Sequence, residues 1–146
     1  GTGLIGMWKA FLEMKSLGWV KGKLPRMVAA QSDGCAPVVT AFQNLEKTTK
    51  FWDNSSTIAL GLNVPGPLGG SWILDVLYNS NGIALSVPES ELLDLTTMFN
   101  ELTNLNASAE AGVVWGAYHS LINRNWIHPK ESVVLFATGI ERCKFK

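Results

Sequence analysis

The sequence predicts an α/β fold with three layers, in which a mostly parallel sheet is covered by helices on both faces. The strand-like segments are short and apolar, and they lack the alternation of polar and apolar residues that marks half-exposed strands. Between them lie segments whose apolar residues recur at helical spacing. The chain has 146 residues, 47% hydrophobic and only 16% charged, so it can bury a core, and a disordered chain is excluded.

The first part of the chain supplies helix and strand signals in turn. Apolar residues from Leu4 to Leu17 follow helical spacing, and Gly18 is a plausible stop. A short apolar strand is expected at Met27–Gln31. Pro37 fits the first turn of a helix that continues to Leu45, because proline lacks only an N–H that would be unpaired there.

The second part begins with irregular segments at 47–57 and 62–70, the latter rich in proline and glycine. Pro88 is expected to open a helix with Glu89 and Glu91 near its positive end, and Ser108 is a good N-cap for another. The remaining elements are expected to be a helix over Ser71–Tyr78, a strand over Gly82–Val87, a helix over Ser108–Ile122 and a strand over Ser132–Ala137.

Charge and cysteine content exclude several functions. Lys and Arg total 12 and Asp and Glu total 12, so the net charge is zero and a broad nucleic-acid interface is not expected. No run of 18 apolar residues predicts a membrane span, and no segment resembles a signal peptide. Cys35 and Cys143 form neither a disulfide framework nor a zinc site, so no metal is expected and a cytoplasmic location is predicted.

The strongest candidate site lies at the start of the chain. Gly1-Thr2-Gly3-Leu4-Ile5-Gly6 fits the pattern G-x-G-x-x-G, in which glycines let the backbone approach an anion at a helix N-terminus. The alternative is a glycine-rich helix start that binds nothing. A dinucleotide site is a further alternative, with Asp33 after the next strand as the ribose-binding acid.

Other chemically active side chains have simpler explanations. Thr138 follows the last predicted strand and could face a ligand, but a turn threonine is the commoner case. Cys35 lies at a helix start with neither histidine close in sequence, so a buried, inert thiol is expected. Glu110 lies in the first turn of its helix, where it most simply complements the helix dipole.

Together these segments resemble the threonine synthases, a group within the fold-type II pyridoxal-phosphate (PLP) enzymes. The resemblance covers nearly the whole chain in order. It rests on the Gly1–Phe11 loop and helix, on Pro25–Gln31 leading into Gly34–Val39, on Thr57–Leu62 with Val64–Gly69, on Ser80–Ala84, on Glu110, and on Val133–Gly139.

The resemblance implies pyridoxal 5'-phosphate as cofactor and assigns residues to it. Gly1, Thr2 and Gly3 occupy the downstream end of the family's phosphate loop, and Thr138 matches the hydroxyl residue that faces the pyridine nitrogen. The family's PLP-linking lysine belongs to an N-terminal part absent from this sequence, so no catalytic residue is assigned in the chain. Ala111 stands where the family often has glycine, and the tail after Gly139 departs from the family's ending.

The implied identity is the C-terminal part of a threonine synthase, with residues 1–146 forming one lobe. The intact enzyme would convert O-phosphohomoserine and water to threonine and phosphate, acting on a small-molecule amino-acid substrate, and this chain alone is expected to be inactive. Other interpretations are a related lyase such as threonine dehydratase, a dinucleotide-binding domain and a non-catalytic remnant. Because the chain begins within a glycine-rich turn at Gly1, we expect it to pack against the absent N-terminal part or to form a homo-oligomer.

Overall fold

The computed structural model describes residues 1–140. Its elements agree with the predicted order except at one strand, and two short 3-10 turns lie at Leu60–Leu62 and Glu89–Glu91. The helices and strands are α1 (Thr2–Ser16), β1 (Val28–Ser32), α2 (Pro37–Gln43), α3 (Gly70–Asn79), β2 (Ile83–Val87), α4 (Leu92–Thr103) and α5 (Ala109–Asn123).

The sheet pairs β1 with β2. The N–H of Ile83 donates to the carbonyl of Met27 at 3.1 Å, and the N–H of Asp33 donates to the carbonyl of Val87 at 2.9 Å. Residue numbers rise together along both strands, so the strands are parallel. Two parallel strands separated along the chain by helices confirm the α/β class.

The described chain divides into two compact units, both of which include part of each strand. The first unit comprises residues 1–29, 36–53 and 65–85. Its core joins α2 to α3, with Val38, Val39, Leu74 and Leu77 all nearly fully buried, and Leu4 and Ile5 of α1 pack against this core. Burying the apolar faces of these helices supplies most of the stabilisation of this unit.

The second unit comprises residues 30–35, 54–64 and 86–140 of the described chain. Helices α4 and α5 pack together, and Leu92, Val113 and Leu121 are buried between or beside them. A Cβ placed at Gly112 would lie 2.8 Å from the carbonyl oxygen of Leu92. Glycine at this position therefore allows the two helix backbones to approach closely.

Four of the helices end in the same hydrogen-bonded turn. After α1, the N–H of Trp19 donates to the carbonyl of Met14, and Gly18 between them has a positive φ of 74°. This is the Schellman arrangement, which places one left-handed residue just beyond the helix. The equivalent residues after α2, α3 and α5 are Leu45, Asn81 and Asn125.

The predicted strand over Ser132–Ala137 is wrong. Residues 132–137 belong to no helix or strand, and Val134 and Phe136 are 80% and 52% exposed. The apolar pattern predicts a strand, but a strand also needs a hydrogen-bonded neighbour. Within residues 1–140 only a single antiparallel bridge, between Ala107 and Ile140, forms in this region.

Two helix starts differ in detail from prediction. Pro88 does not open an α-helix, because a 3-10 turn over Glu89–Glu91 comes before α4. Ser108 occupies the N-cap position of α5 with extended backbone angles, as predicted, but its hydroxyl makes no bond to the backbone of the helix. It donates instead to the carboxylate of Glu110.

No helix within the described part of the chain is long and apolar enough to cross a membrane.

Candidate functional site

The N-terminus of α1 exposes free backbone donors. The helix begins at Thr2, two residues earlier than predicted, so Thr2 and Gly3 form its first turn. The first bond along this helix runs from the N–H of Ile5 to the carbonyl of Gly1, at 3.1 Å. The N–H groups before Ile5 have no partner in the helix, and with the helix dipole they favour an anion.

The side chains of this first turn leave those donors open. Gly1, Thr2 and Gly3 are all exposed, and a Cβ built at Gly3 has no neighbour within 4 Å. No side chain caps the helix. The segment therefore has the room and the donors that a phosphate group requires.

Thr138 is placed in the second unit, so its position is described separately from that of the α1 N-terminus. Its side chain is exposed, and its hydroxyl makes no hydrogen bond within residues 1–140. The next residue, Gly139, is fixed more firmly, because its carbonyl accepts the N–H of Ser108 at 3.2 Å. The Thr138 hydroxyl is thus available to a ligand.

Glu110 organises the surroundings of Gly139. Its carboxylate accepts hydrogen bonds from the Ser108 hydroxyl and, at 2.7 Å, from the N–H of Gly61. Partial burial acts to raise the pKa of this carboxyl, but those bonds, with its own backbone N–H, outweigh burial and hold the pKa below its ordinary value. A Cβ on Gly139 would overlap the Ser108 hydroxyl, so this turn accepts only glycine.

A second carboxylate, Glu89, lies at the carboxyl ends of the two strands. It accepts hydrogen bonds from the Ser32 hydroxyl and, at 2.6 Å, from the N–H of Ile58. Burial acts to raise the pKa of Glu89, but the bonds from Ser32, Ile58 and Thr57 outweigh it and lower the pKa. The N–H of Glu89 itself donates to Asp33 at 2.8 Å, so Asp33 is engaged in this network.

The two carboxylates hold one loop between them. Glu89 binds the loop at Ile58 and Glu110 binds it at Gly61, so the 57–61 loop is fixed at both ends within the second unit. These contacts join residues 31 and 49 positions apart, so periodicity and spacing do not reveal them. The position of Glu89 directly after a buried strand was the one available indication.

Cys35 is confirmed as a buried thiol. It is 0% exposed, and burial raises its pKa despite a backbone hydrogen bond from Val64 that acts to lower it. A protonated, inaccessible thiol is a poor nucleophile and a poor metal ligand.

The lysines within residues 1–140 are all exposed, on α1 or in loops. A lysine that binds PLP covalently is normally desolvated so that its amine is neutral and nucleophilic. None of the described lysines has that environment.

A family comparison decides between the alternatives. The family model described as "Pyridoxal-phosphate dependent enzyme" matches residues 1–139. The chain belongs to this family. The expected cofactor, PLP, is thereby confirmed for the family, and the dinucleotide interpretation is set aside.

Relatives and solved structures agree with this assignment. The chain is 26% identical over 133 residues to a threonine synthase from Methanocaldococcus jannaschii, covering 91% of this chain and 33% of the relative. It is 23% identical over 139 residues to a cysteate synthase from Methanococcoides burtonii, covering 95% of this chain and 33% of the relative. The chain thus spans about a third of the length of these relatives.

The fold is similar to that of a solved maize serine racemase. The two superpose with a TM-score of 0.65 at 17% sequence identity, over 82% of this chain and 36% of the racemase. At that identity the likeness concerns the fold. It agrees with the interpretation of this PLP-family chain as part of a fold-type II domain.

The residues present fit PLP at the two points where they can be examined. The first turn of α1 presents unpartnered N–H groups with no side chain above Gly3, which suits a phosphate. Thr138 presents an unpaired, exposed hydroxyl, which suits a ring nitrogen.

Proposed function

We propose that this chain is the C-terminal part of a PLP-dependent threonine synthase. The complete enzyme converts O-phosphohomoserine and water to threonine and phosphate, on a small amino-acid substrate in the cytoplasm. The observation that carries the proposal is the open first turn of α1, where Gly1, Thr2 and Gly3 leave the backbone donors free for the cofactor phosphate. The family match over residues 1–139 and the matches to threonine synthases support it.

Each residue of the proposed site has a distinct task. The N–H groups at the start of α1 bind the phosphate, and the helix dipole adds to the attraction. The Thr138 hydroxyl pairs with the pyridine nitrogen; being neutral, it does not force that nitrogen to hold a proton as a carboxylate would. When bound, PLP supplies the electron sink that stabilises carbanions of the substrate.

Glu110 and Glu89 act as positioning residues in this proposal. Glu110 fixes the turn that follows Thr138 through Ser108, and both carboxylates hold the 57–61 loop. Neither needs to touch the cofactor, because both carboxylates are already occupied by protein donors. The proton transfers are assigned to the family lysine outside this sequence.

A chimera tests the proposal. Residues 1–146 replace the C-terminal third of the Methanocaldococcus jannaschii threonine synthase, and threonine and phosphate are measured after addition of O-phosphohomoserine. We expect the two products in equal amounts. A chimera that binds PLP and melts cooperatively, but forms no threonine, would overturn the proposal.

Thr138 variants of the chimera test the assigned role. Losing one hydrogen bond to a buried partner costs about 1–3 kcal/mol, so Thr138→Val is expected to lower turnover roughly 5- to 150-fold. Thr138→Ser keeps the hydroxyl and serves as the matched control. Equal melting temperatures of the two variants separate an effect on the cofactor from an effect on folding.

Cysteate synthase is the second candidate, since several relatives with that name match 95% of this chain. The same chimera, assayed for cysteate formation, distinguishes the two. Cysteate without threonine would favour this alternative while leaving the assignment of the cofactor residues intact.

A further inference from the structure

A cavity of about 640 Å³ opens in the first unit, away from the proposed cofactor residues. Its walls come from α1, from the loop that leads into β1, and from the end of α3. Lys15 on its rim follows Thr2 by 13 residues, which corresponds to roughly 20 Å along the helix axis. The cavity therefore lies at the opposite end of α1 from the first-turn donors.

The charge of the lining is one-sided. Lys15, Lys23 and Arg26 line the cavity, and no carboxylate is among the described residues that do so. Glu13 of α1 is engaged with Lys9 elsewhere on that helix. Three cations around one concave surface attract a multiply charged anion more strongly than an isolated surface lysine does.

The floor of the cavity is apolar. Trp8 and Leu12 lie one helical turn apart on the face of α1 that also carries Lys15, and Leu24 faces them from the loop. The indole of Trp8 is half-buried, which leaves part of its ring open to the cavity. An aromatic face beside cations suits a ligand with a flat ring and a charged tail.

The wall formed by α3 is held in place by its own hydrogen bonds. The Ser80 hydroxyl accepts the N–H of Met27 at 3.2 Å and donates to the carbonyl of Leu77 at 3.3 Å. Asn81 adopts the left-handed conformation that closes the helix, with a φ of 50°. The cavity is thus partly preorganised, which reduces the entropy lost on binding.

We propose that this cavity binds a nucleoside diphosphate or a closely similar ring-bearing phosphate. The phosphates contact Lys15, Lys23 and Arg26, and the ring packs on Trp8. A volume of about 640 Å³ is within the range of small-molecule sites. The site is separate from the cofactor residues, so its occupant is an effector and not the reacting substrate.

The test uses the complete 146-residue chain with ADP as the probe, and with adenosine and pyrophosphate as its two halves. Calorimetry gives the affinities, and amide and indole NMR shifts locate the ligand. We expect ADP to bind more tightly than either half, with shifts at the Trp8 indole, Lys15 and Asn79. Shifts centred on Thr2–Leu4 instead would overturn the proposal.

Exposed lysines provide the variants, because their replacement leaves the core untouched. Lys15→Gln and Lys23→Gln are each expected to weaken ADP binding about fivefold, and the double variant more than twentyfold. Lys47→Gln removes the same charge from an exposed loop outside the cavity and is expected to change nothing. An equal loss with Lys47→Gln, or no ADP binding at millimolar concentration, would show that the cavity is not a nucleotide site.

Discussion

Leu45 is the residue whose backbone conformation conflicts most clearly with its side chain. It has a φ of 57° in the turn that ends α2, where α1 uses glycine and α3 and α5 use asparagine. The left-handed conformation costs a non-glycine residue roughly 1–2 kcal/mol, and asparagine pays less of this. The side chain is 79% exposed, so little packing offsets the strain.

We therefore predict that Leu45→Asn stabilises the chain by about 1 kcal/mol. Asn125→Leu, at the equivalent position after α5, is predicted to destabilise it by a similar amount. Urea unfolding of both variants beside the parent measures the two effects. Lower stability of Leu45→Asn would mean that the exposed leucine makes contacts that the fold needs.

The carboxylates of Glu89 and Glu110 make stability depend on pH. Their pKa values in the folded chain lie below the ordinary value of 4.5, which we take as the value in the unfolded chain. Their contribution is therefore complete above about pH 5 and is lost as the pH falls through 4.5 toward the folded values.

Glu110→Gln should remove part of this acid dependence. At pH 7 the variant is predicted to be less stable by about 1 kcal/mol, because the hydrogen bonds from Ser108 and Gly61 lose their charged acceptor. At pH 3 the difference from the parent should shrink. Glu101→Gln on the exposed face of α4 is the control, and a constant difference between pH 7 and pH 3 would contradict this account.

At the scale of elements, the packing of α4 on α5 depends on Gly112. A Cβ there would lie 2.8 Å from the carbonyl oxygen of Leu92 and 3.1 Å from the N–H nitrogen of Thr96, and neither backbone atom can move alone. Gly112→Ala is predicted to destabilise the chain by about 1–3 kcal/mol despite the better helix propensity of alanine.

Gly6→Ala in α1 is the matched control. A Cβ at Gly6 meets nothing within 4 Å, so this variant should be more stable than the parent by about 0.5–1 kcal/mol. Thermal melts of the two alanine variants should therefore shift in opposite directions. A stabilising Gly112→Ala would show that α4 and α5 separate easily.

Elements set by local patterns could be predicted from the sequence. The apolar spacing and Gly18 define α1, Pro37 marks the start of α2, and Ser108 marks the start of α5. The strand predicted over Ser132–Ala137 was wrong because strand formation depends on a neighbour that an apolar run cannot specify. The same reason explains why the hydrogen bonds of Glu89 and Glu110, which join distant segments, could not be predicted.

At the scale of the whole molecule, the chain belongs to the PLP-dependent enzyme family while spanning about a third of its relatives. Large apolar side chains such as Trp19 and Trp72 are 75% and 65% exposed. Exposed apolar surface of this kind favours association with further protein. Packing against an N-terminal part or a second copy of the chain remains a prediction.

The central claim is that the first turn of α1 holds the cofactor phosphate. Pyridoxine 5'-phosphate, which has no aldehyde to label lysines, provides the probe, and amide NMR shifts report where it binds. Gly3→Asp introduces a carboxylate into the open space beside the helix N-terminus, and Gly3→Asn is its neutral counterpart of the same size.

The account predicts that the phosphate ester shifts the amides of Thr2, Gly3 and Leu4, and that pyridoxine without phosphate does not. Gly3→Asp should abolish these shifts because the two negative charges repel, whereas Gly3→Asn should retain them. Unchanged binding to Gly3→Asp, or shifts confined to other parts of the chain, would contradict the assignment of the cofactor site to α1.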